Sequence, residues 1–131
     1  MSTDSIDSSR RLLIADDDSD VCRTLQDRLE AYGFCGAVAV DGAAALALLE
    51  AERFDGLILE IGLPQMDGTK VLRASRHHMP LLPVLVISAS VACIQAMKHS
   101  SPQPNGDLLK PFTTTEFKTA LTHCVGQQRI T

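Results

Sequence analysis

No apolar run in these 131 residues approaches the roughly 18 needed to cross a bilayer, so no membrane partner is expected. The opening stretch Met1–Arg11 lacks an apolar core, so it is not expected to be a secretory signal. Bases are not in excess: 12 Lys and Arg face 16 Asp and Glu, for a net charge of −4. That balance argues against direct nucleic-acid binding, which needs a basic face. Cys22, Cys35, Cys93 and Cys124 include no C-x-x-C pair. Without an export signal the expected compartment is the reducing cytoplasm, where such residues serve as small buried hydrophobes. Neither G-x-G-x-x-G nor G-x-x-x-x-G-K-S/T occurs, which removes two familiar phosphate cradles. His77, His78, His99 and His123 are scattered over surface positions and none closes an expected strand, so no Ser/His/Asp set and no histidine metal site can be built.

What is present suits one globular unit. Apolar residues make up 45% and charged residues 21% of the chain, so wholesale disorder is excluded and a core can form without staples. The Ser/Asp-rich residues 1–10 are expected to be a disordered tail, 11–127 the domain, and 128–131 a C-terminal tail. Short apolar runs predict strands at Leu12–Ala15, Phe34–Val40, Gly56–Glu60, Pro83–Ile87 and Leu108–Leu109. Between them, 3.6-residue spacing predicts a helix from Val21 to Tyr32 stopped by Gly33, and an Ala-rich helix from Gly42 to Glu52 capped by Asp41. Further helices are expected over Asp67–Arg76 and Ser90–Ser100, and a last one opened by the capping box Thr113-x-x-Glu116. Strands alternating with helices, with runs continuous enough to be buried on both sides, imply an α/β protein: a parallel sheet between helical layers.

In such a sheet, ligands sit beyond the carboxyl ends of the strands. The residues there are Asp16, Asp17 and Asp18 after the first strand, Glu60 after the third, Ser88 after the fourth and Lys110 after the fifth. Adjacent carboxylates repel unless a cation compensates them. Oxygen-only donors favour Mg²⁺, and a hydroxyl with an ammonium suits the oxygens of a phosphoryl group. Asp16–Asp18 would equally suit a helix start.

The segments LLIADDD, LILEIGLPQMDG, VLVISAS and DLLKPF, in this order, resemble the receiver domain of two-component response regulators over roughly Arg11–Val125. The resemblance implies a flavodoxin-like (βα)5 three-layer sandwich whose five-stranded parallel sheet has the order 2-1-3-4-5. It implies a phosphorelay signalling module rather than an enzyme. By it, Mg²⁺ would be held by Asp16, Asp17, Glu60 and the carbonyl of Gly62, and Ser88 and Lys110 would bind the phosphoryl group. Ala89 would leave Ser88 room to move, Gly68 would let its loop turn, and Lys110–Pro111 would be a cis peptide. The implied partners are a sensor histidine kinase or phosphotransfer protein, a downstream protein or output domain, and a second copy of the chain.

Two positions depart from that pattern. Glu60 stands where the family has its phosphoacceptor Asp, one methylene longer, and should weaken Mg²⁺ binding by reaching toward Lys110 and Ser88. Asp107 stands where an aromatic switch residue is usual, and a carboxylate enters an apolar pocket only at a desolvation cost. These departures favour a receiver that signals without phosphorylation, through a fixed helix 4–strand 5–helix 5 face including Met97, Phe117 and Leu121. The alternatives are a conventional Mg²⁺-dependent receiver phosphorylated by a histidine kinase and, more remotely, a haloacid-dehalogenase-like phosphohydrolase. The latter needs a further acid pair after the lysine, where only Glu116 stands.

Overall fold

The computed structural model describes residues 10–63 and 67–126. The expected tail at 1–10 lies outside this range except for Arg10, and the expected tail at 128–131 lies wholly outside it. The elements follow as β1 (Arg11–Ala15), α1 (Ser19–Ala31), β2 (Cys35–Ala39), α2 (Gly42–Ala51), β3 (Gly56–Glu60), α3 (Gly68–His78), β4 (Val84–Ser88), α4 (Val91–Lys98), β5 (Gly106–Leu109) and α5 (Thr114–Val125). All pairings are parallel, in the order β2-β1-β3-β4-β5. Among the described residues, no helix is long and apolar enough to cross a membrane.

Side-chain alternation along the strands divides the core in two. Leu12, Ile14, Ile58, Leu85 and Ile87 face α1 and α5, meeting Leu25, Leu29, Phe117 and Leu121. Leu13, Leu57, Leu59, Val84 and Val86 face the opposite layer, meeting Leu49 of α2, Leu72 of α3, and Ile94 and Met97 of α4. The central strands β3 and β4 are buried along their whole length, as runs without polar alternation require.

The caps explain where the helices begin. Asp18, Asp41, Asp67, Ser90 and Thr113 each accept backbone N–H groups of the first turn, and Thr113 and Glu116 close the expected capping box. Asp67 and Ser90 therefore precede their helices rather than belonging to them. Gly33, at φ 92°, turns the chain after α1.

Strand β5 begins two residues earlier than its apolar pair suggests, because Gly106 and Asp107 pair with Leu85 and Val86. The chain is set into this register by Asn105. Its backbone N–H donates to the carbonyl of Val84 at 2.8 Å, its side-chain oxygen accepts the N–H of Val84 at 2.8 Å, and Arg76 of α3 donates to the same oxygen. The cysteines need a correction. Cys22 is buried and Cys93 and Cys124 are partly covered, but Cys35 opens the edge strand β2 and is exposed. All four histidines are exposed, as expected, on helices or a helix cap.

Candidate functional site: an acid pocket bridged by one lysine

The parallel register brings the strand ends to one rim, where the sheet ladder continues into the residues that follow. Asp16 N–H donates to Ala39 O at 3.1 Å, Ile61 N–H to Ile87 O at 3.1 Å, and Lys110 N–H to Ser88 O at 2.8 Å. The backbones of the rim are thereby fixed before any side chain is considered. The Lys110–Pro111 peptide is cis, as the resemblance implied, and Ser101–Pro102 is cis as well.

The Lys110 ammonium bridges two carboxylates, lying 2.6 Å from Glu60 Oε1 and 2.9 Å from Asp16 Oδ2. Asp16 is 1% exposed and Glu60 9%. Their remaining oxygens are also engaged: Asp16 Oδ1 accepts the N–H of Asp18, and Glu60 Oε2 accepts the N–H of Gly62, each at 3.0 Å. Burial alone disfavours the Lys110 ammonium, but the hydrogen bonds and negative charge of Glu60 and Asp16 outweigh it, so the pKa stands above the ordinary lysine value.

The other expected site residues are placed differently. Asp17 is exposed, and Asp18 is the N-cap of α1. Ser88 is buried one strand away. Its Oγ accepts the N–H of Ser90 at 3.0 Å, which ties it to the start of α4. Gly62 presents its N–H to the pocket, a contact not foreseen from the sequence. A second unforeseen member is Cys22, whose thiol lies beneath the pocket and donates to the carbonyl of Asp16 at 3.2 Å. Burial, then the neighbouring carboxylates, push this thiol's pKa up and keep it protonated as a donor. No spacing rule marks such a contact in the sequence.

Mg²⁺ is an oxygen-seeking ion that demands near-octahedral geometry. It does not fit the side chains as they stand. Each oxygen of Asp16 and Glu60 already faces a proton donor, and among the described residues no three acidic, histidine or cysteine side chains are grouped to hold a metal.

At the other end of β5, Leu108 packs toward α1 and α5, so strand alternation turns Asp107 toward α4, where Lys98 Nζ lies 3.9 Å away. Both line a cavity of about 410 Å³ with Gln103, Asn105, Ala120 and His123. The face expected to include Met97, Phe117 and Leu121 is corrected here: all three side chains are at most 2% exposed and belong to the core. The stripe that α4 and α5 direct inward is apolar for packing reasons, so its residues are not available to a partner.

Comparison with known proteins agrees with this architecture. The family model of the response regulator receiver domain matches residues 12–122. The chain is 38% identical over 110 residues to the transcriptional regulatory protein PrrA of Mycobacterium bovis, covering 84% of this chain and 47% of PrrA, so it spans about half that relative's length. It is 35% identical over 111 residues to the chemotaxis protein CheY of Pseudomonas aeruginosa, covering 82% of this chain and 90% of CheY. A CheY-like receiver domain protein from Methanospirillum hungatei superposes with a TM-score of 0.84 at 22% identity, covering 92% and 97% of the two chains, a likeness of fold. The fold, the order of the motifs and these matches agree: the chain belongs to the response regulator receiver family of two-component signalling modules, which are not enzymes.

Proposed function

We propose that this chain is an atypical receiver that signals without being phosphorylated. Glu60 permanently supplies the negative charge that a phosphoryl group supplies transiently in an ordinary receiver. The observation that carries this reading is the 2.6 Å contact between Glu60 Oε1 and Lys110 Nζ in a largely buried pocket. The extra methylene extends the carboxylate by about 1.5 Å, one carbon–carbon bond, toward the lysine that would otherwise meet phosphoryl oxygens. The mimicry is in charge and is partial, because a phosphoryl group carries more negative charge than a carboxylate.

In this reading Asp16 and Glu60 fix Lys110, and Ser88 remains tied to the start of α4. The receiver unit spans 11–127 in the cytoplasm, without direct contact to nucleic acid or membrane. Its partners are a histidine kinase or phosphotransfer protein, a downstream protein or output domain, and a second copy of the chain. The downstream contact uses exposed residues of the α4–β5–α5 face, including Lys98 and His123.

Incubation with Mg²⁺ and acetyl phosphate, followed by intact-mass measurement, tests the proposal. The wild type is expected to gain no phosphoryl mass, whereas Glu60→Asp is expected to gain one base-labile phosphoryl group. Stoichiometric labelling of Glu60 in the wild type would overturn the reading and restore that of a conventional receiver.

A further inference from the structure

We infer that Lys110 is the pocket's resident cation and that the protein reaches its working conformation without a divalent metal ion. The inference deepens the reading of Glu60 given above and rests on it. Four acidic residues stand at this rim, but they are unequally placed, and Asp18 is taken up as the N-cap of α1. Asp16 and Glu60 are buried against Lys110, while Asp17 is exposed.

The two buried carboxylates offer four oxygens. Two meet the ammonium, and two accept the N–H groups of Asp18 and Gly62. Mg²⁺ needs carboxylate oxygens at about 2.1 Å in a nearly undistorted octahedron, and here an ammonium already occupies the space between the two carboxylates. To enter between the carboxylates, it must displace the Lys110 ammonium, draw Glu60 back from it, and leave a partly buried ammonium without its partners. Each of these changes has a desolvation or pairing cost. With Asp in place of Glu60, the carboxylate stops one methylene short, and the space between it and Asp16 reopens. The chemistry that keeps the ion out is therefore the reach of Glu60 combined with the charge of Lys110.

The experiment is a titration of the full chain with MgCl₂ to about 20 mM at constant ionic strength, followed by amide shifts of Asp16, Asp17 and Gly62 and by the thermal midpoint, since a bound ligand stabilises the native state. The wild type is expected to show no saturable change. Glu60→Asp and Lys110→Met are both expected to show saturable shifts, the first by withdrawing the carboxylate and the second by removing the competing charge. Should Lys110→Met fold poorly, Glu60→Asp still decides the matter. Saturable binding in the wild type would overturn the inference, as would variants that bind no better than wild type. The two proposals fail separately: Mg²⁺ binding without phosphoryl labelling removes only the resident-cation inference, whereas labelling of Glu60 removes the signalling reading.

Discussion

Two ion pairs stand at the two ends of β5, and they are built differently. Lys110, just past the strand, is enclosed with Asp16 and Glu60 at 2.9 and 2.6 Å, and every carboxylate oxygen there has a donor. Near the strand's start, Asp107 and Lys98 approach to 3.9 Å with both side chains substantially open to water. A buried pair whose partner is removed leaves a charge in a medium that solvates it poorly, whereas water takes over the role of a lost surface partner. One end of the strand is thus committed to a fixed arrangement, and the other can change its chemistry at little expense in stability.

The sharpest way to break this contrast is Lys110→Met, which strands two buried carboxylates. It is expected to lower unfolding free energy by about 3 kcal/mol in urea titrations. The pH profile supports the same point. Because the folded state raises the pKa of Lys110 above 10.5, its stabilisation is complete below that value and is lost as pH climbs through the higher folded value. Lys110→Met should lack that alkaline decline, and a variant that retained it would assign the decline to another group.

Next in size is Gly68→Ala. A methyl there would stand 2.7 Å from Ile61 Cα and 2.8 Å from its carbonyl oxygen, both rigid backbone beside the acid pocket. About 2 kcal/mol should be lost, with displacement of the Gly62 amide resonance. The matched change at the far end, Gly106→Ala, meets only the tip of Leu85 at 3.4 Å and should alter stability by no more than about 0.5 kcal/mol. Equal losses at the two glycines would erase the distinction between the ends.

The smallest effect belongs to Lys98→Ala, expected to cost about 0.5 kcal/mol or less and to vanish in high salt. A larger, salt-insensitive loss would mean that the Lys98–Asp107 contact is as enclosed as the one at Lys110.

The sequence discloses these two ends unequally. Strand ends are legible because apolar runs stop at charged or polar residues, and that places Asp16, Glu60, Ser88 and Lys110 on one rim. The strand order came from family resemblance, since periodicity says nothing about which strands are neighbours. Finer features depended on contacts distant in sequence. That Gly62 offers its N–H rather than its carbonyl, and that Cys22 supports Asp16 from below, are consequences of backbone geometry. Met97, Phe117 and Leu121 illustrate the opposite difficulty. Apolar residues on a helix announce burial or a docking face with the same spacing, and only the packed layers decide between them. Cys35 is exposed because it opens an edge strand, a fact about the sheet and not about cysteine.

The double attachment of Asn105 to Val84 bears on how this architecture can vary. A chain arriving from α4 is re-indexed at that one asparagine, whatever its path beforehand. The register from which Lys110 is presented is thus fixed by Asn105 and Val84, not by the path of residues 99–104. The acid pocket and the exit from α4 are in that sense separable parts of the fold.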